Sequence, residues 1–278
     1  MRLGGPIFEE FTDPEGWISA LRRLGYAAAG CPVKADAGDE VIAAYARAAE
    51  SADIVIAEVG AWSNPLSDDE KTSREAVALC QQQLALADRI GARCCVNIAG
   101  GRGPQWDGPD EKNFSDETFQ MIVETVREII DAVRPARTFY TLEPMPWVFP
   151  DSPDSYLDLI GAIDRPQFAV HLDPSNMVNS PRRFYGNAAL LRECFQKLGP
   201  YIKSVHGKDV RMTTEFNTHI SEVAPGLGRL DYRVFLREME QVSPDLPLLT
   251  EHLSTPEEYG KAAAYIRSVA KEVGVTIK

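Results

Sequence analysis

Four acidic or histidine residues occur at matching places in the second half of the chain, each at or near the end of a short apolar run. They are Glu143, Asp173, His206 and Glu251. If the four runs end at one place in the fold, three carboxylates would lie close together and repel one another strongly unless a cation lay between them. The residue types therefore predict a site for one divalent metal ion with three oxygen ligands and one nitrogen ligand.

The composition of this predicted ligand set narrows the choice of metal. Three carboxylates, one imidazole and no thiolate suit Mn²⁺, Mg²⁺ or Co²⁺ better than a structural zinc ion. Mn²⁺ is the expected cofactor, with Mg²⁺ and Co²⁺ as the alternatives. The chain has five cysteines and no CxxC pair, so the sequence offers no cysteine-rich zinc site.

The runs that carry these residues belong to a regular alternation of strand and helix patterns. Strands are predicted at 2–5, 26–32, 53–60, 93–99, 138–145, 168–174, 202–208 and 247–252. Helices are predicted at 13–24, 38–51, 68–91, 115–133, 153–163, 187–198, 231–241 and 255–273. Eight strand-helix units predict an α/β fold in which residues 1–278 form a single (β/α)8 TIM barrel domain, with candidate ligands at the carboxyl ends of the strands.

An open, doubly wound sheet is the main alternative to the barrel. It is disfavoured because no GxGxxG motif follows the first strand, and because no helix start follows the glycine run 100–104 at the right distance.

Charge and composition exclude several classes of partner. The formal net charge is −12, which repels nucleic acid phosphates and anionic lipid surfaces, so we expect neither nucleic acid nor membrane as a partner. The first ten residues contain two acids and no apolar signal region, and no later stretch approaches about 18 uncharged apolar residues. Together with the odd number of cysteines, these features lead us to expect a cytoplasmic protein.

The strand-end motifs resemble those of the xylose isomerase-like TIM barrel superfamily, the sugar phosphate isomerases and epimerases. The motifs are Leu142-Glu-Pro, His171-Leu-Asp-Pro-Ser-Asn, Val205-His-Gly-Lys-Asp and Pro225-Gly-Leu-Gly-Arg-Leu-Asp-Tyr. The resemblance covers nearly the whole chain and implies one metal held by Glu143, Asp173, His206 and Glu251. It also implies that Glu143 and Glu251 act as acid and base on opposite faces of a bound sugar, through a metal-stabilised enediolate.

Two further residues belong to the predicted catalytic region. Lys208 lies two residues after His206 and so shares its inward face. It is either a charge partner of the carboxylates or a donor to a substrate oxygen or the enediolate; a Schiff base is less favoured, because a protonated imine would make the metal redundant. Asn176 stands where ketose 3-epimerases commonly carry a substrate-contacting histidine, and an amide can bind a hydroxyl but cannot exchange protons near neutral pH.

Four other residues are candidates for binding substrate. Trp147 is predicted to wall the apolar face of the sugar, and Arg211, five residues after His206, is the candidate for a substrate-binding arginine. His171 is expected one layer deeper, where it would support the ligands or the core rather than bind the metal directly. Asn97 would either reach the substrate or satisfy a hydrogen bond in the core.

Two expectations concern the surroundings of the predicted site. The polar, glycine-containing segment 210–230 is too long for an ordinary connection and is the candidate lid. His252 alternates away from Glu251 and is expected to point towards the helices.

The predicted chemistry leaves several functions open. The first is a metal-dependent sugar isomerase or epimerase. The second is a lyase, a dehydratase or a C- or O-deglycosidase, in which the same proton abstraction expels a β-substituent from a 3-keto sugar or glycoside. An apurinic endonuclease of the same barrel family is a remote alternative, disfavoured by the negative charge and by a total of four histidines.

A protein that binds ligand without chemistry is the remaining alternative, and the intact ligand set argues against it. In each case except the endonuclease the expected partner is a small-molecule carbohydrate. A second copy of the chain or a partner subunit could complete or cap the site.

Overall fold

The computed structural model describes residues 1–278 and contains ten strands and nine helices. The strands are β1 Arg2–Gly4, β2 Ala28–Gly30, β3 Val55–Gly60, β4 Cys94–Asn97, β5 Phe139–Leu142, β6 Phe168–Leu172, β7 Ile202–Gly207, β8 Asp209–Met212, β9 Ile220–Val223 and β10 Pro247–Thr250. The helices are α1 Pro14–Leu24, α2 Asp39–Ser51, α3 Glu70–Ile90, α4 Asp116–Val133, α5 Pro153–Ile163, α6 Pro181–Tyr185, α7 Asn187–Leu198, α8 Tyr232–Val242 and α9 Pro256–Val273.

Eight of the strands form a closed parallel barrel, in the order β1-β10-β7-β6-β5-β4-β3-β2. The first strand pairs with the last, Leu3 opposite Leu248, and with the second, Gly4 opposite Ala28, so no strand edge of the barrel stays unpaired. The predicted (β/α)8 fold is therefore confirmed. No helix of the chain is both long and apolar enough to cross a bilayer.

Local signals in the sequence set the helix ends. The side chains of Asp13, Asp69 and Ser115 each accept a hydrogen bond from a backbone N–H in the first turn of the helix that follows. Thr255 and Glu258 form a capping box at the start of α9. Each such cap contributes about 1 kcal/mol, and this local chemistry explains why these four predicted helices begin within two residues of the observed ones.

Inward-facing residues of the barrel strands are partly polar near the carboxyl end. Ser204 and His206 lie two apart on β7, and both contact Glu58 of β3 across the interior of the barrel. His171 of β6 reaches the same carboxylate. The alternation of strand side chains therefore places a polar layer directly beneath the ends of β5, β6, β7 and β10.

The predicted lid segment contains a β-hairpin that the sequence analysis did not predict. Strands β8 and β9 pair antiparallel, with Asp209 opposite Val223 and Met212 opposite Ile220. Asp209 fixes the base of the hairpin, because its carboxylate accepts backbone N–H groups from Val210, from Leu230 and from two glycines between them. These four bonds tie the hairpin and the loop after it to the end of β7.

Candidate active site

The four residues predicted to bind metal lie together at the carboxyl end of the barrel. Glu143, Asp173 and Glu251 directly follow β5, β6 and β10, and His206 lies within β7. One possible ligand atom of each residue lies within 4.8 Å of those of the other three. All are buried except Glu251, whose side chain is 20% exposed. We call these four residues the floor cluster.

Two cationic side chains lie among the carboxylates of the floor cluster. Lys208 Nζ lies 2.5 Å from Glu251 Oε1, 2.8 Å from Asp173 Oδ2 and 3.2 Å from Glu143 Oε1. His206 Nδ1 lies 2.7 Å from Glu251 Oε1 and 3.2 Å from Glu143 Oε1. The predicted inward position of Lys208 thus makes it a charge partner of all three carboxylates.

Burial and charge act against each other on these groups. Burial opposes the ionised form of Glu143, but the charges of Lys208 and His206 outweigh it and hold the pKa of Glu143 well below its usual range. Burial likewise opposes a charged His206, yet the carboxylates of Glu251, Glu58 and Glu143 raise the pKa of its imidazole well above the usual range. At neutral pH, His206 is therefore an imidazolium held between carboxylates.

Asp173 behaves differently from the other acids. Burial, together with repulsion from Glu143 and Glu251, outweighs the attraction of Lys208 and raises the pKa of Asp173 to about 6. Above that pH the region contains four carboxylates, those of Glu58, Glu143, Asp173 and Glu251, against the two cations His206 and Lys208. The metal-free site thus has an excess of two negative charges (four minus two). The excess becomes three (four minus one) when His206 loses a proton to bind a cation, so in both states the site favours a divalent cation.

Two oxygens of the floor cluster also lack a proper donor. Asp173 Oδ2 and Glu251 Oε1 are buried without a hydrogen bond of acceptable geometry, although Lys208 Nζ is close to both and His206 Nδ1 lies 2.7 Å from Glu251 Oε1. Buried oxygens without a donor are costly, and a cation can satisfy both at once. The residues present, three carboxylates and one imidazole, therefore fit a hard divalent cation.

Glu58 is a functional candidate that the sequence analysis missed. Its carboxylate lies on β3 inside the barrel, 13% exposed, and contacts His206 Nε2 at 3.2 Å, His171 Nε2 at 2.9 Å and Ser204 Oγ at 3.0 Å. Burial opposes its charge, but His206 and His171 lower the pKa of Glu58 far below its usual range. Its signal in the sequence was a single acid inside an otherwise apolar strand.

Above the floor cluster opens a cavity of about 820 Å³. Its floor includes Glu143, Lys208 and Glu251, and its walls include three tryptophans, Trp62, Trp106 and Trp147. The hairpin contributes one side of the cavity through Thr218, Ile220 and Glu222. Aromatic walls over a charged floor are typical of a site for a small, polar molecule with apolar faces.

Among the predicted substrate contacts, Asn176 and Trp147 line this cavity. Asn176 Nδ2 donates to Glu143 Oε1 at 3.1 Å, and Trp147 Nε1 donates to the backbone oxygen of Asp107 at 2.8 Å. The amide of Asn176 therefore contacts the floor cluster directly.

The structure does not bring the other three candidates to the cavity. His171 is fully buried beneath the floor cluster, where it contacts Glu58. Asn97 is fully buried and its side-chain oxygen accepts a hydrogen bond from the backbone N–H of Ser63 at 3.2 Å. Both residues thus lie in the core, which was one of the two positions considered for each. Arg211 lies on β8 with its side chain exposed, and it is not among the residues that line the cavity. Successive side chains of a strand point to opposite faces, so Arg211 points away from the cavity that its neighbour Val210 lines. Its spacing of five residues from His206 therefore does not place it near the substrate.

The expected orientation of His252 is wrong. His252 has a φ of +58°, so the chain leaves the strand alternation directly after Glu251. Its side chain lines the cavity and lies 3.2 Å from both carboxylate oxygens of Glu222. This bond to Glu222 raises the pKa of His252.

Comparisons with known proteins agree with this architecture. The family model for xylose isomerase-like TIM barrels matches residues 18–269. A curated 3-dehydroshikimate dehydratase from Bacillus anthracis is 26% identical over 144 residues, which are 52% of this chain and 45% of that protein. The match thus spans about half of this chain and less than half of the relative.

Two solved structures show the same barrel at low sequence identity. D-psicose 3-epimerase with D-tagatose from Clostridium cellulolyticum H10 has a TM-score of 0.68 and 15% identity, and the alignment covers 98% of this chain and 99% of that one. A xylose isomerase-like TIM barrel protein from Mycobacterium smegmatis in complex with magnesium has a TM-score of 0.66 and 17% identity, over 94% and 89% of the two chains.

Proposed function

Because the chain belongs to the xylose isomerase-like TIM barrel family, we propose that it is a divalent-metal-dependent sugar isomerase or epimerase. It would transfer a proton at a carbon next to a carbonyl group. The observation that carries this proposal is the floor cluster of Glu143, Asp173, His206 and Glu251 beneath a cavity with aromatic walls.

In this proposal the floor cluster holds the cation, with Mn²⁺ as the first choice. When bound, the cation would polarise the carbonyl group of the substrate and stabilise negative charge on its oxygen. The excess of negative charge and the two oxygens without donors support the assignment of all four residues as ligands.

Glu143 and Glu251 are the proposed acid and base. Both line the cavity, and their strands β5 and β10 are separated in the barrel by β6 and β7, so they approach the cavity from different sides. The pKa of each is lowered, because the charges of nearby cations outweigh burial, so each is ionised and able to accept a proton near neutral pH. A proton returned from the other side would invert a centre, and a proton returned to the neighbouring carbon would isomerise the sugar.

Two neighbouring side chains support this chemistry. Asn176 orients Glu143 through its Nδ2 donor and leaves its own amide oxygen to bind a hydroxyl group. Lys208 lines the cavity floor and can donate to a substrate oxygen while it contacts Glu143 and Glu251. We assign Lys208 to binding and charge compensation rather than to an imine.

The charges around the cavity favour an uncharged sugar over a phosphorylated or carboxylated one. No arginine lines the cavity, and its two basic side chains are already paired, Lys208 with three carboxylates and His252 with Glu222. Asp107 adds a further negative charge to the lining. An anionic substrate would therefore meet repulsion from the acids, and apart from the proposed metal ion no unpaired cation of the cavity lining would offset it.

A lyase is the second candidate, and the dehydratase relative favours it. Elimination begins with the same proton abstraction next to a carbonyl, so the proposed base needs no change. The difference lies in the substrate, which must carry a leaving group on the carbon β to that carbonyl, as in a 3-keto glycoside.

Proton exchange with solvent tests the proposal and separates the two candidates. The Mn²⁺-loaded protein is incubated in D₂O with neutral ketoses, aldoses and 3-keto glycosides, and the products are followed by NMR. We expect deuterium at the carbon next to the carbonyl in an isomer or epimer of the substrate. An eliminated product would instead support the lyase.

A matched pair of variants controls this assay. Glu251→Gln removes the proposed base, whereas Glu128→Gln changes an exposed carboxylate on α4. Exchange should be lost in the first and kept in the second. Full exchange in Glu251→Gln, or none in the metal-loaded wild type with any substrate of these classes, would contradict the proposal.

A further inference from the structure

Glu58 has no part in the proton transfer proposed above, yet it contacts the floor cluster from below. Its Oε1 lies 3.2 Å from His206 Nε2, on the side of the imidazole opposite Nδ1. Nδ1 faces the carboxylates of Glu143 and Glu251. The two ring nitrogens of His206 therefore face different groups, Nδ1 the floor cluster and Nε2 the carboxylate of Glu58.

Both ring nitrogens face carboxylates, but only Nδ1 faces those of the floor cluster. A cation held by the floor cluster would therefore take the place of the Nδ1 proton and leave the imidazole proton on Nε2. An ionised carboxylate can only accept a hydrogen bond, so Nε2 must donate to Glu58. Nδ1 then keeps its lone pair, which points into the floor cluster. A metal-binding histidine commonly donates its other ring N–H to a carboxylate in this way, which fixes the tautomer and the ring orientation.

We propose that Glu58 is a positioning residue that holds His206 in the Nε2–H tautomer and so presents Nδ1 as the nitrogen ligand of the metal. This inference rests on the metal centre of the proposed function. It adds a fifth residue, from the opposite side of the barrel, that should control metal affinity without contacting metal or substrate.

The surroundings of Glu58 support a positioning role. Its other oxygen, Oε2, accepts from Ser204 Oγ at 3.0 Å and lies 2.9 Å from His171 Nε2, so the carboxylate is held from both β6 and β7. The rings of His171 and His206 meet at a centroid distance of 4.1 Å. These partners restrict both the carboxylate and the imidazole that it contacts.

The polar layer around Glu58 is also costly for the stability of the barrel. Burying a carboxylate is expensive even when it is paired, and well-packed apolar residues at the same place commonly give equal or greater stability. The barrel nevertheless keeps an acid, two histidines and a serine in this layer. A role in orienting His206 explains why the layer is polar.

The group Glu58, His171 and His206 could itself be read as a second metal site, because its ligand atoms also lie within 4.8 Å of one another. That reading needs His206 to bind one cation through each nitrogen. Neither Glu58 nor His171 is among the residues that line the cavity. The two readings predict different stoichiometries, one metal ion per chain or two.

Titration calorimetry with Mn²⁺ on the metal-free chain tests the proposal. Glu58→Gln keeps the shape but removes the charge, and we expect Mn²⁺ to bind about 10- to 100-fold more weakly than to the wild type. Ser204→Ala is the matched control, because it removes one partner of Glu58 but leaves the contact with His206. Its affinity should change by less than about threefold, well below the roughly 10- to 100-fold typical of losing the partner of a metal-binding histidine, because Glu58 keeps its charge and its contacts with His206 and His171.

The outcomes separate this inference from the proposed function. If the wild type binds no divalent metal, the proposed function fails. If the wild type binds one Mn²⁺ and Glu58→Gln binds it equally well, only the role of Glu58 is overturned. Two Mn²⁺ per chain, one of them lost in Glu58→Gln, would also overturn it, in favour of a second site. Far-ultraviolet circular dichroism verifies that each variant is folded.

A spectroscopic readout distinguishes positioning from general support of the core. The chain has four histidines, so ¹⁵N-histidine labelling gives a simple spectrum, and the Mg²⁺ form is diamagnetic. We expect one Nε2–H signal from His206, shifted downfield by the hydrogen bond to Glu58, with Nδ1 unprotonated. Glu58→Gln should move this signal upfield, and Ser204→Ala should leave it in place. An unchanged signal in Glu58→Gln would contradict the proposal.

Discussion

Replacing Asp173 with asparagine should remove a loss of stability with rising pH in the metal-free protein, and should also remove part of the stabilisation by bound metal. Burial and the neighbouring Glu143 and Glu251 raise the pKa of Asp173 to about 6, from a usual value of 3.8. Because the pKa of Asp173 is higher in the folded than in the unfolded protein, protonation of Asp173 stabilises the folded state. The stability that this provides is fully present below pH 3.8 and is lost as pH rises through 6.

The size of the effect follows from the shift. A difference of 2.2 units (6 minus 3.8) corresponds to about 3 kcal/mol at 1.36 kcal/mol per unit. Asparagine does not titrate in this range. We therefore compare the unfolding free energies of the two metal-free proteins. The value for Asp173→Asn minus the value for the wild type should increase by about 3 kcal/mol between about pH 4 and pH 7.

The assay is urea unfolding followed by circular dichroism in the presence of a chelator, at four or more pH values across this range. Asp107→Asn is the matched control, because Asp107 lines the cavity but lies outside the floor cluster. The difference between the wild type and Asp107→Asn is the baseline against which the pH dependence of Asp173→Asn is compared. A pH-independent difference for Asp173→Asn, or one that falls as pH rises, would refute the electrostatic reasoning.

Adding metal should act in the opposite direction and favour the wild type. A ligand that binds only the folded state stabilises it by about 2.7 kcal/mol at 100 times its Kd. The wild type should gain this stability at neutral pH with Mn²⁺, and Asp173→Asn should gain much less, since it lacks one carboxylate ligand. An equal gain in both proteins would contradict the assignment of Asp173 as a ligand.

Three further predictions concern single residues. Glu251→Gln should lower the rate of solvent deuterium exchange by about 100- to 10,000-fold while leaving the circular dichroism spectrum unchanged, as expected when a general base is lost; near-normal exchange would refute the two-glutamate mechanism. Lys208→Gln should bind Mn²⁺ at least about tenfold more tightly than the wild type in calorimetry, because the ammonium group that competes with the metal for Glu251 and Asp173 is removed. Weaker binding would contradict this. Gly228→Ala should lower the unfolding free energy measured in urea by about 1–3 kcal/mol. The reason is steric, because the added Cβ would overlap with Asp209 Oδ1 and with the backbone oxygen of Val210. Unchanged stability would mean that the loop relaxes freely.

Sequence patterns predicted the barrel and the position of the floor cluster well, and the reason is local. Strand alternation, helix caps and strand-end acids are all readable within a few neighbouring residues, and the closed barrel then brings distant strand ends together. Glu143 and His206 are 63 residues apart, yet both lie where their strands end, and the side-chain oxygen of one is 3.2 Å from the ring nitrogen of the other.

The features that sequence patterns missed depend on contacts across the barrel or on single backbone angles. Glu58 meets a histidine 148 residues away, and a lone acid within β3 carries no sign of that contact. His252 was misplaced because one residue with positive φ ends the alternation on which the expectation relied. The hairpin was missed because each of its strands has four residues of mixed polarity, too few for a clear period.

The bonds of Asp209 have a consequence for engineering this protein. Its carboxylate anchors both ends of the segment that contains the hairpin, so residues 213–219 form a tip whose connection to the barrel is fixed at its base. Phe216 at that tip is almost fully exposed, whereas Ile220 and Glu222 closer to the base line the cavity. The tip can therefore be lengthened, shortened or exchanged as a module, which gives a route to altered substrate range that leaves the floor cluster intact.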